Sequence, residues 1–139
     1  MNAECLVDAN VLIYSVSRLP DEVAKRERAL QLMEVADFGL SGQVLAEFYN
    51  TVTHKQHVRL SPDEARTVID DLSELPVVPV DRELVVRGSE ISERYQISYW
   101  DGAILAAAER LGAKTLYSED LSHGQRYGTV TVENPFADL

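Results

Sequence analysis

Residues 98–120 read SYWDGAILAAAERLGAKTLYSED, and this stretch decides the fold class. Ser98 is a favourable N-cap, the apolar residues after it recur at helical spacing, and Gly112 is a favourable stop, so a helix is predicted from residue 98 to 111. The short apolar run at residues 115–117 then predicts a strand. A helix leading directly into a buried strand is the repeating unit of an α/β domain with a parallel sheet.

The rest of the chain follows the same alternation of short apolar runs and longer helical segments. The predicted strands cover residues 4–8, 38–41, 77–80, 115–117 and 129–132, with helices between them. Pro79 cannot donate a ladder hydrogen bond, which puts the 77–80 strand at an edge of the sheet. No repeat or Pro/Gly-rich linker interrupts the pattern, so we expect one domain over residues 1–139.

Composition narrows the function classes. The chain has 139 residues and a net charge of −10, from 13 Lys+Arg against 23 Asp+Glu. This balance disfavours tight, non-specific nucleic-acid binding, but it permits a nuclease whose metal ions neutralise an acidic centre. The single cysteine, Cys5, permits no internal disulfide. No signal peptide or bilayer-spanning segment is visible, so a cytoplasmic protein is expected.

Four carboxylates stand where apolar segments end or are interrupted: Asp8, Glu47, Asp101 and Asp120. Burying a carboxylate costs several kcal/mol unless something pairs it, and no Lys or Arg is close in sequence to the first three. A shared hard cation would compensate all four, because Mg²⁺ and Mn²⁺ prefer carboxylate oxygens and water. A metal-dependent phosphoryl-transfer or hydrolytic site is the leading interpretation.

Two of these carboxylates also suit helix capping. Asp8 follows the first predicted strand, at the sheet edge where ligands of α/β proteins bind, yet Asp8 or Asn10 could simply cap the next helix. Asp101 fits a capping pattern that begins at Ser98, although helical spacing places it within the apolar stripe. Gly102 would allow another backbone to approach closely.

The other two are ambiguous for different reasons. Glu47 lies at the boundary of its helix's apolar face, where a carboxylate is usually solvated. Asp120 closes a turn after the 115–117 strand, and the neighbouring Glu119 is an alternative ligand. Convergence of the four carboxylates on one point of a parallel sheet is an expectation about the fold.

The chain resembles a PIN-domain protein, specifically a VapC-like toxin of a type II toxin–antitoxin pair. The resemblance spans nearly the whole chain in order. The segments that carry it are LVDANVLIY (6–14), VLAEFY (44–49), YWDGAILAAA (99–108), SEDLSHG (118–124) and NPF (134–136).

This resemblance implies a PIN-like three-layer α/β domain, with a five-stranded parallel sheet flanked by helices, and Mg²⁺- or Mn²⁺-dependent endoribonuclease activity. It also implies a homodimer and a cognate antitoxin protein that blocks the site. The residues it implies as the catalytic and metal-binding quartet are Asp8, Glu47, Asp101 and Asp120, with Asn10 and Ser118 in supporting positions.

Two alternatives remain open. A HAD-like phosphatase also places an acidic residue after its first strand, but that family expects Asp-x-Asp, and Asn10 occupies the second position. The other is a non-catalytic PIN-like module that acts only through protein contacts.

The sequence does not identify the residues that would guide RNA. The basic cluster at residues 54–59 could contact RNA phosphate, but it is expected instead to complement the negative end of a helix. His123 fits a substrate-positioning role and an ordinary polar loop equally well. Tyr95, Tyr99 and Trp100 are expected to be core or interface aromatics rather than base-stacking platforms.

Overall fold

The computed structural model describes residues 1–54 and 60–139. The basic cluster predicted at residues 54–59 therefore lies outside the described residues, apart from His54. Helices and short strands alternate along the chain: β1 Cys5–Val7, α1 Ala9–Ser15, α2 Val23–Val35, β2 Phe38–Ser41, α3 Gly42–His54, α4 Pro62–Asp71, β3 Val77–Val78, α5 Arg82–Tyr95, α6 Tyr99–Leu111, β4 Thr115–Tyr117, β5 Arg126–Tyr127 and β6 Val130–Glu133.

The strands form one sheet in the order β3-β2-β1-β4-β6-β5. The first five of these are parallel, and each of the five strands predicted from the sequence is present. β3 lies at an edge, as Pro79 predicted. The α/β fold class is therefore confirmed.

The predicted number of strands is wrong, because the described sheet has six. The additional strand, β5, pairs antiparallel with β6. Gly128, with φ +62°, lies in the tight turn between them. β5 has only two residues, Arg126 and Tyr127, and such a short segment has no periodicity that would reveal it in the sequence.

The core surrounds the central strand and helix α6. Every residue of β1 is buried, and residues 102–108 of α6 are buried as well. No helix in the described part of the chain is both long and apolar enough to cross a bilayer.

Two glycines bring α5 and α6 into close contact. A methyl group added at Gly102 would collide with the carbonyl oxygen of Gly88 and would lie 2.9 Å from the backbone nitrogen of Ser92. One added at Gly88 would lie 2.9 Å from the Cα of Ala103. The close backbone approach predicted at Gly102 is confirmed, and it holds the first turn of α6 against α5.

Candidate active site

The sheet places the ends of β1 and β4 side by side. Along the chain, the sheet grows from β1 through β2 to β3 in one direction, and from β1 through β4 to β6 in the other. The strand order therefore reverses between β1 and β4, and ligands of open α/β sheets bind beyond the strand ends at such a point. Asp8 follows β1 there, and Ser118 and Asp120 follow β4.

Asp8 is a buried carboxylate with a fixed orientation. It is 7% exposed. One oxygen, Oδ1, accepts a hydrogen bond from the backbone N–H of Ala9 at 2.7 Å, which makes Asp8 the N-cap of α1. The other, Oδ2, accepts from the hydroxyl of Ser118 at 2.8 Å. The capping role considered from the sequence is thus present and leaves room for a second role.

Burial raises the pKa of Asp8 to about 7, against the two hydrogen bonds, and the negative charges of Asp120 and Glu47 add to the rise. Those two carboxylates therefore lie close enough to repel it. A carboxyl group in this state is protonated in a large fraction of molecules near neutral pH, unless a cation compensates its charge.

Asp101 and Glu47 approach the same region from two helices. Asp101 lies half-buried in the first turn of α6, where its backbone N–H donates to the hydroxyl of Ser98 at 3.1 Å. Burial raises the pKa of Asp101, and the charge of Asp120 raises it further. Glu47 is exposed on α3 and accepts a hydrogen bond from the side-chain amide of Gln43 at 3.0 Å.

Asp120 lies near two of the other carboxylates, because its charge raises the pKa values of both Asp8 and Asp101. Its two oxygens lie 3.4 Å from the side-chain amide nitrogen of Asn10. Its backbone N–H donates to the Ser118 hydroxyl at 3.1 Å. Ser118 therefore bridges Asp120 and Asp8.

Glu119 points elsewhere. Its Oε1 accepts a hydrogen bond from the Tyr14 hydroxyl at 2.7 Å, and its Oε2 lies 3.6 Å from the ammonium group of Lys25. Lys25 also lies 4.8 Å from the centre of the Tyr14 ring. The structure thus separates two adjacent carboxylates that the sequence could not distinguish.

The four carboxylates suit a hard cation by chemistry, although they are not closed into a cage. Among the described residues, no group of three or more His, Cys, Asp or Glu side chains is arranged to hold a metal ion. Likewise, no described Lys or Arg forms an ion pair with any of the four. Mg²⁺ typically binds through one or two carboxylates and keeps several waters, so this all-oxygen set fits such an ion.

Two features of this region were missed by sequence reasoning. The Tyr14–Lys25–Glu119 network has no local signal, since Tyr14 and Glu119 are 105 positions apart. Trp100 is 64% exposed, so it is not a core residue. Its place in the first turn of α6, before the fully buried part of the helix, is the signal that could have shown this.

His123 anchors the loop after Asp120. Its Nδ1 accepts a hydrogen bond from the backbone N–H of Asn134 at 2.9 Å, which fixes the loop against the end of β6. Of its two predicted roles, this contact supports the structural one.

Comparison with known proteins gives the family. No curated protein sequence matches the chain. Among solved structures, a toxin–antitoxin complex from Klebsiella pneumoniae is similar to it, with 20% identity and a TM-score of 0.68 over 95% of this chain and 98% of that chain. The sarcin–ricin loop cleaving toxin VapC20 of Mycobacterium tuberculosis is 18% identical, with a TM-score of 0.66 over 84% of this chain and 89% of that one. DNA-bound VapBC from Salmonella typhimurium is 19% identical, with a TM-score of 0.64 over 96% and 98%.

At these identities the structural matches establish the fold alone. The family model for the PIN domain matches residues 5–126, which is most of the chain and includes all four carboxylates. The HAD-like alternative is therefore wrong. The chain belongs to the PIN domain family.

Proposed function

We propose that this PIN domain is a metal-dependent endoribonuclease that acts as the toxin of a type II toxin–antitoxin pair. The observation that carries the proposal is the state of Asp8, which is buried beside the negative charges of Asp120 and Glu47 without an ion pair to any described Lys or Arg. Such a group is costly unless a cation joins it. The similarity to toxins, one of which cleaves the sarcin–ricin loop, supports RNA as the substrate.

The residues would divide the work as follows. Asp8 and Asp101 would hold Mg²⁺ or Mn²⁺, with Asp120 and Glu47 completing the acidic set. When bound, such an ion would supply Lewis-acid activation of a water for in-line attack on an RNA phosphodiester. Ser118 keeps the Asp8 carboxylate oriented and favours its charged form.

Two more contacts prepare the site. The amide of Asn10 faces both oxygens of Asp120 and orients that carboxylate. Tyr14 and Lys25 hold Glu119 away, so that Asp120 provides the acidic group after β4. No nucleophilic side chain is required, because water is the nucleophile.

We expect purified protein to cleave structured RNA in the presence of Mg²⁺ or Mn²⁺ and to stop when EDTA is added. The physical reason is that the acidic site repels phosphate unless a cation compensates its charge. Gel analysis of end-labelled RNA measures cleavage. p-Nitrophenyl phosphate is tested in parallel to separate a nuclease from a phosphatase: RNA should be cleaved selectively, and hydrolysis of this small phosphomonoester would favour a phosphatase.

Cleavage that survives EDTA would contradict the metal-dependent mechanism. Lack of cleavage of any RNA, with no heat on calorimetric titration with Mn²⁺, would favour the non-catalytic binding module instead.

Replacing Ser118 with alanine should shift the pH dependence of cleavage. The Ser118 hydroxyl donates to Asp8 and lowers its pKa, so its removal raises that pKa. A hydrogen bond to a charged group is worth about 1.5–3 kcal/mol, which corresponds to a shift of about one pH unit or more. The acidic limb of the kcat/KM profile should move to higher pH by this amount.

Ser118→Thr is the matched control, because it keeps the hydroxyl and should keep the wild-type profile. An unchanged acidic limb in Ser118→Ala would show that this hydrogen bond does not govern the ionisation of Asp8 in the active enzyme.

We also propose a cognate antitoxin and a homodimer as partners. Two of the similar structures are complexes of toxin with antitoxin, named as such or as VapBC. The net charge of −10 suits a partner with a basic segment. Co-expression with the neighbouring open reading frame should yield a stable complex and relieve growth arrest, and sedimentation of the isolated chain should show twice the monomer mass.

A further inference from the structure

An apolar groove of about 470 Å³ lies beside the carboxylates. α3 and the first turn of α6 form its walls, and Val80 lies at one side. Glu47 lines the groove and also belongs to the acidic set. The groove is thus continuous with the proposed catalytic site.

Trp100 lines this groove and is the only tryptophan of the chain. It is 64% exposed, and Val80 beside it is 56% exposed. The Tyr99 and Trp100 ring centres are 5.1 Å apart at an interplanar angle of 72°, so Tyr99 orients the indole while most of it stays accessible. Neighbouring exposed apolar residues that line one groove are typical of a binding surface.

The charges of the groove indicate a neutral ligand. None of the described residues that line it is Lys or Arg, and Glu47 is negative. A phosphate group would therefore be repelled here. A second copy of the chain that docked through this same groove would bury Glu47. No described Lys or Arg of either groove would pair with that carboxylate, which is unfavourable.

We infer that this groove binds the nucleobase next to the scissile phosphate, stacked on Trp100. The inference rests on the proposed function. Trp100 and Asp101 are consecutive, with Cα atoms about 3.8 Å apart, so an RNA strand held at Asp101 lies within reach of Trp100. Aromatic side chains stack on unpaired bases whatever their identity. The amide of Gln43, in the groove wall, offers a donor and an acceptor to the base edge.

The test uses the intrinsic fluorescence of Trp100, which needs no catalysis. The Asp8→Asn variant is titrated in Mg²⁺ with a short single-stranded oligoribonucleotide of mixed sequence, and with ribose 5-phosphate as a probe that has no base. We expect saturable quenching by the oligonucleotide and none by ribose 5-phosphate. Because the chain has one tryptophan, the signal reports this groove alone.

Binding of the same oligonucleotide, labelled and followed by anisotropy, is then compared among further variants in the Asp8→Asn background. Trp100→Ala should weaken binding about tenfold, whereas Trp100→Phe should retain most of the affinity, because a ring remains to stack. Val35→Ala is the control, since Val35 is 82% exposed at the end of α2 and does not line the groove. It should bind as the parent does.

The outcomes separate this inference from the proposed function. RNA binding that neither quenches Trp100 nor weakens in Trp100→Ala would overturn the stacking site and leave the nuclease intact. A different result would assign the groove to a second copy of the chain and also overturn the inference. In that case Trp100 fluorescence would be quenched as the protein concentration rises without RNA, and the Trp100→Ala substitution would dissociate the dimer. If RNA is neither bound nor cleaved by any form of the chain, the proposed function fails and the inference fails with it.

Discussion

Replacing Asp8 with asparagine is expected to abolish RNA cleavage and, at the same time, to stabilise the protein at pH 8. Loss of a metal ligand removes several kcal/mol of transition-state stabilisation, which corresponds to a decrease of the order of 10³-fold in kcat/KM. The gain in stability arises because the native protein buries a carboxylate whose charge is unfavourable there. Asparagine has nearly the same shape without that charge.

The hydrogen bonds of Asp8 also allow the substitution. The amide oxygen can still accept from the N–H of Ala9, and the amide nitrogen can donate to the hydroxyl oxygen of Ser118. The variant should therefore fold without leaving a buried polar atom unpaired.

The sign of the pH dependence follows from the direction of the shift. The pKa of Asp8 rises from 3.8 to about 7 in the folded state. A raised pKa means that the folded state holds the proton more tightly, so this stability is fully present below about pH 4 and is lost as pH rises through 7. At pH 8 the metal-free wild type should be less stable than Asp8→Asn by the order of 2–4 kcal/mol.

Urea denaturation in EDTA at pH 5 and pH 8 measures this difference. The gap between wild type and variant should widen from the lower to the higher pH. Added Mg²⁺ should stabilise the wild type more than the variant, because Asp8→Asn removes one of the carboxylates that would hold the ion. Asp21→Asn removes an exposed carboxylate and serves as the control, with little change at either pH. If Asp8→Asn is less stable than the wild type at pH 8, the charge of the Asp8 carboxylate does not destabilise the folded protein.

Replacing Gly102 with alanine should strongly destabilise the folded protein. The added methyl group meets the backbone of α5 at Gly88 and Ser92, and backbone atoms cannot turn aside as a flexible side chain can. The two helices would have to separate. Overpacking of this kind costs about 3 kcal/mol or more, out of a total stability of about 5–15 kcal/mol for a typical domain. The higher helix propensity of alanine offsets only about 1 kcal/mol of this loss in stability.

The soluble yield and the urea midpoint measure the effect. Gly42→Ala is the matched control, because the nearest atom to its added methyl group is Val80 Cγ2 at an ordinary 3.4 Å. It should change the stability by less than about 1 kcal/mol. Gly88→Ala should resemble Gly102→Ala, since its methyl group meets the backbone of Ala103. A Gly102→Ala variant as stable as the wild type would mean that α5 and α6 pack less tightly than the structure shows.

Local signals were sufficient for much of the fold. Ser98 and Gly112 bound α6 as predicted, and Pro79 placed its strand at an edge, because caps and ladder hydrogen bonds depend on nearest neighbours. The family could also be recognised, since its motifs are short and occur in order along the chain. The short strand β5 escaped prediction because two residues show no period.

Only part of the candidate site could be predicted from the sequence. Sequence alone singled out Asp8, Glu47, Asp101 and Asp120 as carboxylates where apolar segments end or are interrupted. Their placement near one another was an inference from the fold. Their assignment as metal ligands stays a prediction, which the Asp8→Asn experiment tests.

Only the tertiary structure decided which contacts adjacent residues make and which side chains are exposed. Glu119 and Asp120 are adjacent and chemically alike, yet Glu119 turns to Tyr14 and Lys25 while Asp120 faces Asn10. Likewise, Trp100 is exposed although residues 102–108 of the same helix are buried. Each outcome depends on residues that lie far away in sequence but close in the folded chain. Such contacts leave no trace in local periodicity, so charge and polarity along the chain indicate which residues could act, and packing decides which of them lie together.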